Sequence, residues 1–395
     1  MKIYRVGGAV RDALLNLPVT DIDYVVLGAT PEQMLAQGYT PVGRDFPVFL
    51  HPVTHAEYAL ARTERKTAPG YRGFVFHCAP EITLEQDLQR RDLTINAMAM
   101  AEDGSPEVID PYGGQRDLNA KLFRHVSPAF TEDPLRILRL ARFAARLPEF
   151  SIAPETQQLM SDMVAAGEVD ALVPERVWQE LSRGFMERQP SRLLEVLHAC
   201  TALARILPEL ASLWDQSTAS QHDKTYGQVM LRTLDYCAQQ DYSLAVRWAA
   251  LLAELSRGAN HTDLTRAAAI ESVQQLCVRL KVSAEVRDLA IMTVREQEAV
   301  AASLSAQETV QLFERCDAFR RPERFFEMLQ AGLIHSGVLS LQQRTLKQAL
   351  FAAQSIPAGH IAKACSQRFP HQPQKIAEEI LAVRIAAVEL HKTNR

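Results

Sequence analysis

Gly7-Gly8-Ala9-Val10-Arg11-Asp12, followed by Asp21-Ile22-Asp23-Tyr24-Val25-Val26, decides how this chain is read. The order is a glycine turn, a short helix expected over Ala9–Leu15, and a strand with two carboxylates one residue apart. Side chains alternate faces along a strand, so Asp21 and Asp23 are expected on one side while Ile22, Tyr24 and the two valines turn to the core. Adjacent carboxylates repel unless a cation lies between them. Oxygen ligands of this kind suit Mg²⁺, which takes carboxylates together with substrate phosphates. The glycines let backbone approach a triphosphate, and the helix start offers N–H groups to it. Each half alone also describes an ordinary turn or a solvated strand end; their order is what points to nucleotidyl transfer.

Outward from this stretch the pattern stays mixed to about residue 125. Short apolar runs at Tyr24–Leu27, Val48–His51, Glu57–Arg62, Phe74–Cys78 and Glu107–Ile109 read as strands, and Ala9–Leu15, Pro31–Ala36 and Leu84–Met100 as helices. From Glu132 onward no strand pattern stands out; Leu/Ala/Arg/Glu-rich segments recur with helical period, punctuated by proline. The expected class is α+β: a mixed α/β head over 1–125, a helical neck over 126–200, and an all-helical body and tail over 201–395, elongated as an array.

Composition bounds the setting. At 395 residues the chain holds enough material for two to four domains. No apolar run reaches membrane-spanning length and the first residues read as a strand, so a cytoplasmic protein without membrane contact is expected. The six cysteines are scattered without C-x-x-C pairs, as buried thiols in a reducing compartment would be. A net charge of −4 excludes a generally basic nucleic-acid coat, leaving local patches for any RNA contact.

Arg90-Arg91-Asp92-Leu93-Thr94-Ile95-Asn96 is the next candidate site. Its arginines can reach a triphosphate or sugar oxygens, with Asp92 and Asn96 holding their geometry or bonding a ribose; the competing reading is a solvated basic turn. Thr63–Gly73, with two glycines, a proline and several cations, reads as a mobile basic loop between strands. Glu57, on the strand before it, is the candidate third carboxylate, with Asp87 and Asp110 competing.

Taken in order, GGAVRD, DIDYVV and RRDLTINAM resemble the class II tRNA nucleotidyltransferases, the CCA-adding enzymes, and their poly(A) polymerase relatives. DPYGGQRDL from Asp110, EDPLR from Glu132 and PERVW from Pro174 add to the likeness, which covers roughly the first 190 residues and is nearest to the proteobacterial CCA-adding branch. The resemblance implies a head of polymerase-β type followed by neck, body and tail. It implies addition of C, C and A from CTP and ATP to tRNA 3′ ends without a nucleic-acid template, in tRNA maturation and repair. Asp21 and Asp23 would hold two Mg²⁺ ions; Gly8, Arg11 and Arg91 would contact the nucleotide. The basic loop is associated in such relatives with the switch from C to A.

Base choice without a template has a physical basis. Cytosine and adenine both present an amino donor beside a ring-nitrogen acceptor, and guanine and uracil reverse that order. A fixed carboxylate beside a fixed guanidinium accepts the first pair and opposes the second. Asp133 and Arg136, at i and i+3, are expected on one helical face; in the family the matching residues make these contacts and Glu132 braces the arginine. An ordinary ion pair at a helix start is the alternative. Arg139 resembles the family's second nucleotide-contacting arginine. With Arg142 and Arg146 it continues a basic stripe toward nucleotide, tRNA phosphates or the neck itself.

One departure stands out. Relatives often carry an HD-type phosphohydrolase domain after the neck, yet here the stretch reads Tyr226–Met230 and Ala249–Leu255 without an adjacent His-Asp. His222-Asp223 and His261 lack partners at helical spacing, so a degenerate HD-like region without hydrolase activity is expected. The alternatives to CCA addition are a poly(A) polymerase, a CC- or A-adding partial enzyme, and a noncatalytic tRNA-binding module. Extending a shortened tRNA with single and mixed NTPs separates them.

Overall fold

The structure, a computed structural model, describes every residue except 20, 43–47, 67–73, 219–223, 260–265, 335–338, 370–371 and 394–395. Its class is α+β. Two compact units are present: Met1–Gly184 with Arg192–Ile206, and Phe185–Ser191 with Leu207–Arg395.

The first unit is built on a seven-stranded mixed sheet. Its strands are β1 (Lys2–Val6), β2 (Asp23–Leu27), β3 (Thr40–Pro41), β4 (Val48–Leu50), β5 (Glu57–Leu60), β8 (Ala99–Ala101) and β9 (Val108–Ile109), ordered β3-β4-β5-β2-β1-β8-β9. Only β2 and β5 pair in parallel; Tyr24 faces Tyr58 and Val25 faces Ala59. The two valines of DIDYVV go to opposite faces, each 1 % exposed. Val25 packs with Val6, Leu88, Ala97 and Ala99; Val26 packs with Met34, Tyr39, Phe49 and Leu60. Burying each valine stabilises the unit by about 1.5–3 kcal/mol, so the register that presents Asp23 at the strand's start is firmly set.

A separate hairpin joins β6 (Arg62–Lys66) to β7 (Phe74–Cys78). The expected loop from Thr63 is therefore shorter, since Thr63–Lys66 is strand; the rest of it, 67–73, lies outside the described residues. Helices α1 (Gly8–Leu14), α2 (Pro31–Ala36), α3 (Leu84–Gln89) and α4 (Gly114–Asn119) complete the sheet-bearing part.

Two sequence expectations are corrected. The helix expected over Leu84–Met100 stops at Gln89; a 3₁₀ turn follows at Thr94–Asn96, and β8 begins at Ala99. Leu93, Ile95, Ala97, Met98 and Ala99 are all 0 % exposed, and an all-buried run shows neither the helical nor the strand period. Leu93 instead bridges His125, and Thr94 N–H donates to the Arg124 carbonyl at 2.9 Å. Strand structure also continues past Glu132, because β10 (Leu122–Phe123) pairs in parallel with β11 (Ser151–Ile152).

The remaining helices of this unit are α5 (Leu135–Arg146), α6 (Pro154–Ala165), α7 (Pro174–Phe185), α8 (Ser191–Ala199) and α9 (Ala202–Ile206). Gly184 lets α7 and α8 meet, since a Cβ there would stand 2.0 Å from Leu193 Cδ1.

The elements of the second unit, apart from one antiparallel bridge between Ser217 and Thr225, are helices among its described residues, from α10 (Pro208–Ala211) through α11 (Tyr226–Gln239), α12 (Leu244–Ala259), α13 (Arg266–Arg279), α14 (Ala284–Ala301), α15 (Ala306–Arg315), α16 (Pro322–Gly332), α17 (Leu339–Gln354) and α18 (Ala358–Arg368) to α19 (Pro373–Thr393). Helix α12 is its centre, packed on α11, α13, α14 and α16, with Trp248 fully buried. Helix α19 closes the other end against α15, α17 and α18. No described helix is long and apolar enough to cross a membrane.

Candidate active site

Strand β2 begins at Asp23, and Asp21 precedes it as an exposed residue outside the strand, a correction to the expected pair on one strand. Because β2 and β5 run in parallel with Tyr24 opposite Tyr58, Asp23 and Glu57 stand side by side at the same end of neighbouring strands. Both line a cavity of about 510 Å³, together with Val25 and Ala59 from the same sheet face. Asp21 is not among its lining residues.

The competing carboxylates have structural work. Asp87 is fully buried and accepts from Arg90 Nη2 at 2.8 Å and Arg91 Nη2 at 3.3 Å. Asp110 accepts the Gly114 and Gln115 N–H groups at 2.6 and 2.8 Å, capping α4. Among the described residues no three His, Cys, Asp or Glu side chains already converge as a metal cage.

The glycine turn shapes the opposite wall. Gly7 has φ 68°, and a Cβ there would stand 2.8 Å from Arg91 Nη1. Only glycine lets the turn and this guanidinium coexist. Gly8 lines the cavity from the first residue of α1. Arg91 lines the cavity, and its Nε, buried in the same wall, has no hydrogen-bond partner in the structure.

Arg11 also lines the cavity, although only 2 % of it is exposed. Its Nε donates to Asp12 Oδ1 at 2.8 Å and its Nη1 to Asn96 Oδ1 at 2.7 Å. Burial lowers its pKa, opposed by the Asp12 carboxylate.

The neck residues arrive from the start of α5. Asp133 is not on the helix as expected; it precedes it with φ −121°, and its Oδ1 accepts the Leu135 N–H at 3.0 Å. Its other oxygen accepts from Arg176 Nη2 at 3.1 Å. Arg136, 8 % exposed, donates to the Ala129 and Arg90 carbonyls at 2.8 and 2.6 Å. An Asp133–Arg136 ion pair is thus not what fixes these groups, yet both line the cavity.

Arg139 Nε and Nη2 bind Asp92 Oδ2 at 2.9 and 2.8 Å. Burial alone would raise the Asp92 pKa, but Arg139, the Asn96 amide and Arg136 outweigh it and hold the carboxyl well below the usual range. The arginine stripe does not run free toward solvent: Arg142 pairs with Glu180 at 2.6 Å and Arg146 with Asp12 at 2.9 Å. Three guanidinium groups, of Arg11, Arg139 and Arg142, lie 5.0, 5.8 and 4.7 Å from the centre of the Phe143 ring.

The cavity therefore gathers Gly8, Arg11, Asp23, Glu57, Arg91, Asp133, Arg136 and Arg139, and Asp21 is not among its lining residues. Sequence reasoning missed Arg176 and Phe143 as lining residues, and Asp12 and Glu180 as partners of the stripe. The PERVW motif carried Arg176 in plain view; nothing local marked the others. Seven arginines against four carboxylates line the space, a positive cleft in an acidic chain.

Comparison with known proteins places these features. The model of the poly A polymerase head domain matches residues 3–124, and that of a probable RNA and SrmB-binding site of polymerase A matches 149–213. A multifunctional CCA protein of Janthinobacterium sp. (strain Marseille) is 56 % identical, spanning 98 % of this chain and 97 % of the relative. One from Herminiimonas arsenicoxydans is 54 % identical over 99 % and 98 %. Among solved structures, the Bacillus stearothermophilus CCA-adding enzyme in complex with CTP is similar at TM-score 0.67 and 24 % identity, over 98 % of this chain and 89 % of that one. The Thermotoga maritima CCA-adding enzyme complexed with tRNA is similar at TM-score 0.60 and 22 % identity, over 90 % and 78 %. These two likenesses show the fold. The near full-length identity to the curated relatives, with the head-domain match, establishes that this chain belongs to the family of CCA-adding tRNA nucleotidyltransferases.

Proposed function

We propose that the cleft transfers CMP and AMP from CTP and ATP to the 3′ end of tRNA, building CCA without a template. The 3′-oxygen attacks the α-phosphorus, the bond to the β-phosphate breaks, and pyrophosphate leaves. The observation that carries the reading is one cavity holding the carboxylates of Asp23 and Glu57, seven arginines and the Asp133–Arg136 set.

Family membership brings with it the use of a divalent metal. The donor set fits one: Asp21, Asp23 and Glu57 show no basic partner among the described residues, although seven arginines line the same cleft. Carboxylates kept apart from so many guanidiniums suit a hard cation facing a polyphosphate. Mg²⁺ is the metal proposed, held by Asp23 with Asp21 and Glu57 as further ligands. When bound it lowers the pKa of the attacking hydroxyl and offsets charge on the leaving pyrophosphate.

The protein's own groups do the rest. Arg91 and the Gly8 backbone, which line the cavity, receive the triphosphate. Asp133 Oδ2 has a second lone pair beyond the one taken by Arg176, and it accepts the amino group of cytosine or adenine. Arg136, held on the Ala129 and Arg90 carbonyls, lines the same cavity as Asp133 and donates to the ring acceptor. Guanine or uracil would oppose donor to donor and leave charged groups unpaired, a penalty of about 1–3 kcal/mol.

The same reading assigns one chemical site to the chain. Glu254, at the place of the expected degenerate HD-like region, is 1 % exposed and bound to Arg257 at 2.7 Å inside α12. His222, Asp223, His261 and Asp263 lie outside the described residues. We assign the second unit to tRNA shape recognition and packing. Incubating a tRNA lacking its 3′ end with CTP, ATP, both, or all four NTPs tests the function. CC from CTP, then a single A, supports it; a homopolymer points to the poly(A) alternative, and no extension to a binding module.

A further inference from the structure

Two arginines of the cleft, Arg11 on α1 and Arg139 on α5, never touch, yet one unbroken hydrogen-bond chain joins them. Arg11 Nη1 donates to Asn96 Oδ1 at 2.7 Å, and Asn96 Nδ2 donates to Asp92 Oδ1 at 2.9 Å. Asp92 Oδ2 accepts from Arg139 Nε at 2.9 Å. The amide can serve in one orientation only, oxygen toward the guanidinium and nitrogen toward the carboxylate. Aspartate in its place keeps the first bond and turns the second into acceptor against acceptor.

The 3₁₀ turn carrying Asn96 is held from behind. Thr94 Oγ1 donates to Asp117 Oδ2 at 2.8 Å, and Gly114 packs so close that a Cβ would lie 2.3 Å from the Thr94 carbonyl oxygen. Asn96 is 5 % exposed and Asp92 7 %, so the amide–carboxylate middle of the chain is shielded from water, while Arg139 at its end keeps 39 % of its side chain exposed. Asp12 fixes the far side of Arg11 and also holds Arg146 of α5 at 2.9 Å. The buried Asn96 and Asp92 thus form the link between the two guanidiniums, with Arg11 braced from its other side by Asp12.

We propose that Asn96 is a positioning residue that couples Arg11 to Arg139, so that the nucleotide engages the two arginines as one unit. This rests on the reading of the cleft as the nucleotide site. Asn96 lines the cavity, but its amide oxygen and nitrogen are taken by Arg11 and Asp92; it acts through the two arginines, and removing it uncouples them.

The test is a cycle of Arg11→Lys, Arg139→Lys and the double variant, each in the wild-type, Asn96→Ala and Asn96→Asp backgrounds. KM and kcat for CTP are measured on tRNA lacking its 3′ end, and Kd for CTP without tRNA. In the wild-type background the double variant should fall short of the product of the single effects by roughly threefold or more, since either change already breaks the chain. In both Asn96 backgrounds the effects should multiply. Asn96→Asp keeps size and the acceptor for Arg11, so it gives the answer even where Asn96→Ala folds poorly. Coupling that survives in Asn96→Asp overturns the inference. Single Arg→Lys variants with wild-type Kd and KM would instead overturn the assignment of the nucleotide site.

Discussion

Gly7→Ala is the perturbation whose outcome the geometry specifies most closely. Gly7 sits at φ 68°, ψ −128°, a region open essentially to glycine alone, and forcing an L-residue there costs about 1–3 kcal/mol. The new Cβ would also stand 2.8 Å from Arg91 Nη1, inside the closest contact that real Cβ atoms make. Arg91 has to retreat, and its 3.3 Å bond to Asp87 is already long. A misplacement on the order of 1 Å at a positioning group can lower turnover about 100-fold. Gly8→Ala is the control: its Cβ would meet Arg11 Nη2 at 3.6 Å, an ordinary contact. We expect Gly7→Ala to lower Tm by about 2–12 °C, from about 2–4 °C per kcal/mol for a unit of this size, and to cut kcat/KM for CTP by at least tenfold. Gly8→Ala should leave Tm within about 1 °C, since only ordinary contacts change, while raising the nucleotide KM because Gly8 lines the cavity. Gly7→Ala with unchanged Tm and unchanged kcat/KM would refute the reasoning about the turn.

Two further outcomes follow from the same cleft. The depressed Asp92 carboxyl contributes stability that is complete above its unfolded pKa of about 3.9 and is lost as pH falls toward its folded value. The Tm gap between wild type and Asp92→Asn should then hold constant from pH 8 to 5 and narrow only below about pH 4; narrowing between pH 7 and 5 would contradict this. Asp133→Ala should raise UTP and GTP misincorporation relative to CTP and ATP by roughly tenfold, while Arg136→Ala should cut use of both correct nucleotides; unchanged selectivity in both would make the pair structural only.

The parts of the fold legible in the sequence were those written in local periodicity and turn chemistry. DIDYVV gave β2 because both valines bury on a sheet covered on two sides, and Pro31–Ala36 was bounded by a capping box from Thr30 and Gln33. The stretch after Gln89 was misread because burial on every side erases period. The β10–β11 pair is too short to show any pattern. At the site, the residue types were legible and their partners were not. Arg142 and Arg146 read as a basic face because Glu180 and Asp12 lie 38 and 134 residues away in sequence. Asp133 was expected on the same helical face as Arg136, whereas Pro134 delays the helix and Asp133 stands before it, bonded to Arg176. Glu57 was the candidate from its strand pattern, but its place beside Asp23 was not legible, because it comes from the parallel β2–β5 register.

Sequencing the 3′ ends made by wild type and by Asp23→Ala, from a tRNA lacking CCA and all four NTPs, tests the central claim most directly. Asp23 is exposed at the strand's start and lines the cavity, so its loss should spare the fold, checked by Tm, and tRNA binding, checked by gel shift. The account predicts ends that read CCA and stop for wild type, and no added nucleotide for Asp23→Ala despite retained tRNA binding. Wild-type ends of any other sequence, or CCA still added at a near-normal rate by Asp23→Ala, would contradict it.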